Sequence, residues 1–445
     1  MKNIKLSLFF VLFVISAFWI VTDWNAFNQT NNFRAWRDLL IQYSGLLGIG
    51  VMSVGMVLAL RPSWLESTLG GLDKMYRLHK WMGIAGLTLA ITHWLIIKGP
   101  KWLTNLGLLE RQPKGPKSKI PDPDLLQQFF SGQRGLAKDL GEWSFYAAII
   151  LIVIALVKWF PYRYFFKTHR LLALVYLLLA WHSVVLLNYS DWKSPVGLML
   201  AVLLASGVYG AVMVLFRKVA IHRQRIGEVA SIRSFDALKT TEINIQFRDR
   251  WPGHRSGQFA FLTLHEREGA HPFTIASAWA NDGKITFIIK ALGDYTRNLS
   301  KSVHIGDVVK VEGPYGQFTF RGNQPRQIWV GAGIGITPFI SRLQHLQSNP
   351  DGKQIDLFYV TSMLDDQAVK LIENEAQVAG VTLHVITSQR DGRLDANRIM
   401  ELVAQWNQAD VWFCGPSEFG RSLRLDFNAA GLPANRFHQE LFEMR

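Results

Sequence analysis

A single cysteine, Cys414, in 445 residues excludes an intrachain disulfide, a cysteine-ligated iron–sulfur cluster and a structural zinc site built on several cysteines. Acidic residues are also few: 34 Asp and Glu stand against 48 Lys and Arg, a formal net charge of +14. Such a surplus can mark a nucleic-acid binder, yet there is no zinc-ligand spacing and no basic motif interleaved with aromatics, so nucleic acid is not an expected partner. Much of the charge instead flanks apolar runs, where a membrane surface and anionic cofactors account for it. No internal repeat is evident. What the chain has in quantity is apolar side chains, 49% of the total, and the long runs all fall in its first half.

Six of those runs are long enough to span a bilayer: Leu6 to Val21, Leu39 to Leu60, Trp81 to Ile97, Trp143 to Phe160, Leu171 to Leu187 and Pro195 to Phe216. The first, preceded by Lys2 and Lys5, also reads as a signal sequence, although no convincing small-residue cleavage site follows Ser16-Ala17-Phe18. Basic residues cluster in the short loops after the second and fourth spans and after the sixth. They include Arg61, Lys74, Arg77 and Lys80, then Lys158, Arg163, Lys167 and Arg170, then Arg217, Lys218, Arg223 and Arg225. By the positive-inside rule that side is cytoplasmic and holds both termini, as expected of a multi-pass inner-membrane protein. The segment Gly99 to Lys138 reads as a long, Pro-rich basic loop on the other side, with seven basic residues against three acidic ones.

Four histidines lie in these runs. His79 and His93 are fourteen residues apart, and His169 and His182 thirteen. At about 1.5 Å of rise per residue each pair spans about 20 Å along a helix, which is two depths in a bilayer. One imidazole from each of two facing helices at each depth makes two bis-imidazole sites, the ligation of low-spin b-type haem. A lone histidine in an apolar helix is more often a hydrogen-bonded core residue, and titratable intramembrane histidines also suit a proton channel. Two pairs at nearly equal spacing favour haem. The spacings are not equivalent, however: at 100° per residue fourteen residues turn through about −40° and thirteen through about −140°, so the second helix is expected to be bent, bulged or rotated.

After Arg225 the pattern changes. Short β-rich runs at Glu242 to Phe247, Gln258 to Leu264, Ile285 to Lys290 and Val308 to Glu312 read as an antiparallel barrel. From Gln327 strands alternate with helices: Ile328 to Val330, a helix over Pro338 to Leu346, then strands at Ile355 to Thr361, Thr382 to Thr387 and Val411 to Cys414, a parallel nucleotide-binding layout. The turn Gly331-Ala332-Gly333-Ile334-Gly335-Ile336-Thr337-Pro338 lies between a strand and a helix, where backbone N–H groups and the helix dipole can hold a pyrophosphate. His271-Pro272-Phe273-Thr274 offers an imidazole for a phosphate, a flat ring for a flavin and a hydroxyl for a flavin nitrogen.

With these motifs the chain resembles the ferric reductase and NADPH oxidase superfamily over nearly its whole length. The resemblance rests on both histidine spacings, His271 to Thr274, the run Lys290-Ala291-Leu292-Gly293-Asp294-Tyr295-Thr296, Gly313-Pro314-Tyr315-Gly316, the glycine loop and Cys414-Gly415-Pro416. It implies a six-helix transmembrane di-haem bundle over 1–216, an FAD-binding antiparallel β-barrel over 217–325 and an α/β parallel-sheet NAD(P)-binding domain over 326–445. It further implies that His79 and His169 bind the inner haem, His93 and His182 the outer. Phe273 and Thr274 would contact the isoalloxazine, with His271, Pro272, Lys290, Gly293 and Thr296 around the rest of FAD. Gly331, Gly333, Gly335, Thr337, Cys414 and Gly415 would hold the nicotinamide nucleotide. Thr274, Cys414 and Phe442 would stand at the catalytic centre, Phe442 covering the flavin until nicotinamide displaces it, although Glu443, Met444 and Arg445 follow where many relatives end on the aromatic.

Strand Ile355 to Thr361 ends without the acid usual for NAD, and Ser388 and Arg390 follow the next strand where a 2′-phosphate can be held, so NADPH is favoured over NADH. A flavin takes two electrons and releases them singly, which puts FAD between NADPH and the haems. The expected activity is export of electrons to oxygen or a ferric chelate, the alternative being donation to an extracytoplasmic redox protein. Ile97 occupies the position where dedicated oxidases have a further histidine, which leaves the acceptor open.

Overall fold

The computed structural model describes residues 2–30, 32–110, 124–157, 159–266 and 268–440. The chain divides into two compact units, Met1–Ala220 and Ile221–Glu443.

The first unit is helical: α1 (Lys2–Gln29), α2 (Phe33–Ala59), α3 (Ser63–Leu69), α4 (Leu72–Asn105), α5 (Leu125–Leu156), α6 (Tyr162–Leu186) and α7 (Pro195–Leu215). All but α3 are long and apolar enough to cross a membrane, one for each expected span. Several helices begin before or end beyond their apolar runs, although α5 stops at Leu156 and α7 at Leu215. Helix α4 passes Ile97 and continues through Pro100 to Asn105, and α5 starts at Leu125, so much of the expected Gly99–Lys138 loop is helix. A proline removes only one N–H, and the turn continues with the Thr104 hydroxyl donating to the Pro100 carbonyl at 2.9 Å. Asp124 caps α5 by accepting from the Gln127 N–H at 2.7 Å. Residues 111–123 of that loop lie outside the described residues.

Helix α2 packs along α4 and α7, and α5 along α6. Small buried residues on α2, Gly48, Gly50, Ser53 and Gly55, let its backbone approach its neighbours closely, the usual basis of helix association in lipid. Tyr176 of α6 is fully buried. Its O–H donates to the Ser53 hydroxyl at 2.8 Å, which itself donates to the Ile49 carbonyl, so no polar atom of this group is left unmatched at that depth. Helix α7 opens on Pro195 behind Ser194, whose hydroxyl accepts from the Gly197 N–H.

The second unit begins with a six-stranded antiparallel sheet of β1 (Gln224–Phe235), β2 (Thr240–Phe247), β3 (Phe259–Thr263), β4 (His271–Thr274), β5 (Lys284–Lys290) and β6 (Val308–Tyr315), in the order β4-β3-β6-β1-β2-β5. A bridge between Ile275 and Phe287 ties one edge to the other and closes the barrel. Inside it lie Ile243, Ile245, Ile285, Phe287, Val309 and Val311, at alternate positions of their strands. The longest strand, β1, has no counterpart among the sequence-read runs. Its charged residues face out, and a register shift between Val229 and Ser231 breaks its alternation. Two short helices, α8 (Asp294–Arg297) and α9 (Leu299–Ser302), follow β5.

A five-stranded parallel sheet comes next: β7 (Arg326–Ala332), β8 (Gln354–Thr361), β9 (Thr382–Thr387), β10 (Ala409–Cys414) and β11 (Phe437–Gln439), ordered β11-β10-β7-β8-β9. Helices α10 (Thr337–Ser348), α11 (Asp366–Val378), α12 (Ala396–Leu402) and α13 (Ser417–Ala429) make the connections. The order reverses at β7, with β8 on one side and β10 on the other, and in such sheets ligands bind beyond the carboxyl ends of the strands at that point.

Phe339 is fully buried on α10, with its ring 5.6 Å from that of Trp329 and 5.7 Å from that of Phe320. Phe339→Ala should lower the stability of this unit by about 3–5 kcal/mol. Denaturant titration followed by tryptophan fluorescence checks this, and an unshifted midpoint would contradict the packing.

Candidate functional site

The four membrane histidines meet in the two expected pairs. The rings of His79 on α4 and His169 on α6 are 5.9 Å apart by centre, and those of His93 and His182 are 6.4 Å apart. A first-row metal bonds imidazole nitrogen at about 2.0–2.1 Å, so two rings in line across one ion stand about 6.2 Å apart by centre. Both pairs fit that gap. Among the described residues no three His, Cys, Asp or Glu side chains gather as a metal site, so a metal held here needs its other ligands from a cofactor.

Hydrogen bonds fix which nitrogen is available. The Nδ1 of His79 lies 2.9 Å from the Gly55 carbonyl, that of His182 is 2.8 Å from the Ala137 carbonyl, and that of His93 is 3.0 Å from the Ser44 hydroxyl. A carbonyl can only accept, so Nδ1 of His79 and His182 carries the proton and Nε2 keeps the lone pair a metal needs. Ser44 donates its own proton to the Leu40 carbonyl at 2.6 Å, which puts His93 in the same tautomer. The Nδ1 of His169 is buried without an acceptor among the described residues, and its ring stacks on Phe165. Helix α6 is uninterrupted from Tyr162 to Leu186, so no break absorbs the unequal spacing. The ring of His182 reaches against α5 instead, where only a glycine, Gly141, leaves room for it. Gly141, Gly45, Ser44 and Gly55 carry no signature in the sequence. Arg37, also missed there, donates to the carbonyls of Ile96 and Ile97 at 3.1 and 3.0 Å.

In the second unit, His271, Pro272, Phe273 and Thr274 form edge strand β4. His271 stacks on Tyr295, ring centres 4.5 Å apart, and Phe273 packs against the barrel core. Burial lowers the pKa of His271, with Glu268 opposing, and burial pushes Tyr295 up to about 12. Lys290 ends β5, and its ammonium lies 3.8 Å from where a side chain on Gly333 would begin, beside the glycine loop. Thr296 turns its hydroxyl inward to accept from the N–H groups of Leu292 and Gly293, so it shapes the loop there.

Gly331 pairs with Cys414 across β7 and β10, at the reversal point of the sheet. Gly333 has φ +57°, a left-handed conformation that favours glycine. A side chain on Gly335 would overlap the Cys414 carbonyl and stand 2.9 Å from the Gly415 nitrogen, so Gly335 permits the contact between the two loops. Thr337 is buried, and its hydroxyl donates to the Ile334 carbonyl at 2.8 Å.

Ser388 and Arg390 follow β9, with the Ser388 N–H on the Thr361 carbonyl of β8. Arg390 is held bidentately by Asp391 at 2.8 and 3.0 Å, and this pairing keeps the Asp391 carboxyl down to about 2. A phosphate there would compete with a carboxylate already in place. Phe442 lies outside the described residues. Glu440, not singled out in the sequence, is buried close to Gly316, and its charge adds to burial in raising the Cys414 thiol.

Residues 44–180 match the family of the ferric reductase like transmembrane component, and residues 237–319 match an FAD-binding domain. The first match contains His79, His93 and His169 and stops just short of His182. Among curated proteins the chain is 28% identical over 124 residues to the propane 2-monooxygenase reductase component of Rhodococcus jostii, covering 25% of this chain and 34% of that one. It is 27% identical over 206 residues to the ferredoxin reductase component of 3-ketosteroid-9-alpha-monooxygenase of Rhodococcus rhodochrous, covering 44% and 58%. To the flavohemoprotein of Bordetella pertussis it is 24% identical over 215 residues, covering 43% and 53%. The chain thus spans between a third and three-fifths of the length of these relatives.

Cys414 is buried, and burial followed by the Glu440 charge pushes its pKa well above the ordinary thiol value. A disulfide reagent at pH 8 should therefore leave the folded protein unlabelled and modify one thiol per chain after denaturation. Rapid labelling of the folded chain would contradict this environment.

Proposed function

We propose that this chain, a member of the ferric reductase and NADPH oxidase-like superfamily and a membrane flavin oxidoreductase, moves electrons from cytosolic NADPH through FAD and two b-type haems to an acceptor across the inner membrane. The observation that carries the reading is the meeting of two imidazole pairs at two depths of one apolar bundle, with ring centres 5.9 and 6.4 Å apart. His79 and His169 would hold one haem, His93 and His182 the other. Bound FAD would convert a hydride into single electrons, and the haems would carry them one at a time. FAD would be held along β4 and the Lys290–Thr296 turn. The nucleotide would lie across the carboxyl ends of β7 and β10, with Gly331, Gly333, Gly335 and Thr337 at its pyrophosphate and Cys414 and Gly415 towards the nicotinamide.

The chain's residues bind, orient and exclude water. His79, His93 and His182 each present Nε2 because Nδ1–H is occupied. The high thiol pKa keeps Cys414 neutral, so it adds no negative charge where a hydride would depart. The acceptor is a small molecule, oxygen or a ferric chelate. Comparing oxygen consumption with ferric-chelate reduction in one preparation distinguishes them.

Purified protein should contain two haems and one FAD. His93→Ala or His182→Ala should remove one haem and stop acceptor reduction while NADPH still reduces FAD. Two fully ligated haems in both variants would overturn the assignment. For the nucleotide, Arg390→Ala should raise the Michaelis constant for NADPH about tenfold and leave NADH little changed, since a charge-assisted contact contributes about 1.5–3 kcal/mol. Equal effects on both nucleotides would mean that Arg390 serves only its pairing with Asp391.

A further inference from the structure

The geometry points to Gly141, Ala137 and Ser44 as positioning residues for the haem at His93 and His182, a clamp that the His79–His169 site has on one side only; this rests on the haem reading above. The thirteen-residue interval on α6 leaves His182 out of phase with the fourteen-residue interval on α4. The ring is brought into line by lying against α5, with Nδ1–H on the Ala137 carbonyl at 2.8 Å. A methyl group on Gly141 would overlap Nδ1 and Cε1 of that ring and stand 2.9 Å from its Cγ. The absence of a side chain at Gly141 therefore permits the ring position that ligation needs. On the opposite side Ser44 receives Nδ1–H of His93 at 3.0 Å, and a methyl on Gly45 would stand 3.2 Å from Cε1 of His93. Both rings of this pair are thus fixed from helices other than their own. At the second pair only His79 is anchored, by the Gly55 carbonyl, while His169 rests on Phe165. An anchored Nδ1–H makes the imidazole a more basic ligand and favours ferric iron, so the clamp also lowers the potential of the haem it holds.

The test uses the full-length chain, read by haem content, low-spin electron paramagnetic resonance and redox titration of the Soret band. Gly141→Ala should reduce haem from two per chain to one and remove one low-spin signal, with FAD reduction by NADPH retained as the check on folding. Gly132→Ala, on the same helix with open space around it, should keep both haems. Ser44→Ala should keep both haems and shift one potential upward, and Ser44→Thr should restore it. Two unchanged low-spin signals in Gly141→Ala overturn the clamp at His182. Unchanged potentials in Ser44→Ala overturn it at His93, including where Gly141→Ala does not accumulate. Unmodified protein without a bis-imidazole signal overturns the haem reading beneath, and the clamp with it.

Discussion

An imidazole buried in an apolar bundle is stabilised by an acceptor for its N–H, and three of the four membrane histidines find one on a neighbouring helix, while His169 rests on Phe165. An unmatched buried donor costs about 1–3 kcal/mol, and water is scarce at that depth. The acceptors for His79 and His93 on α4 come from Gly55 and Ser44 of α2, and the acceptor for His182 on α6 comes from Ala137 of α5. Helix α4 is thereby joined to α2, and α6 to α5, by the same three contacts that choose the tautomers of those three rings. Space for the rings is set in the same way, because Gly45 of α2 and Gly141 of α5 lack the side chains that would crowd His93 and His182.

The second unit meets a different constraint with the same means. A nucleotide's phosphates need backbone N–H groups, which are exposed only where strands end and a chain turns. The reversal of strand order at β7 opens such a place, and glycines keep it open: Gly333 by its left-handed φ, Gly335 by letting the turn touch Cys414 and Gly415. Lys290 reaches this loop from the end of a barrel strand, so the two sheets contribute to one surface. In both units the candidate groups are conspicuous in the sequence, and their position depends on residues that contribute the absence of a side chain.

This difference explains what was legible in the sequence. The histidine pairs stood out because polar rings are rare in apolar runs, and the six spans, the barrel strands and the parallel sheet followed from hydrophobic periodicity. Strand β1 was not legible, since Glu228, Arg233 and Ser234 interrupt its pattern and the shift at Val229 breaks its alternation. The segment from Gly99 read as loop where helix α4 in fact continues to Asn105, and Asp124 is a cap recognisable only once Gln127 is seen to donate to it. Gly141 gave no signal at all: its meaning is the ring of a residue forty-one positions away, brought there by the packing of α5 on α6. The pairing of Arg390 with its neighbour Asp391 was likewise invisible, because adjacency in a chain does not say whether two side chains turn toward one another.

Helix α4 has 34 residues and is about 51 Å long, against about 30 Å of hydrocarbon in a typical bilayer. About 20 Å of it must stand among headgroups and water or be absorbed by tilt. Arg37 grips α4 at Ile96 and Ile97, and Lys98, Lys101 and Trp102 follow directly, side chains that settle at an interface. The helix therefore acts as a ruler whose zero is set by the lipid. Because these anchors stand close to His93 on the same helix, they hold the His93–His182 pair at a set depth below that surface, and a change in bilayer thickness is taken up by tilt or at the far end of the helix.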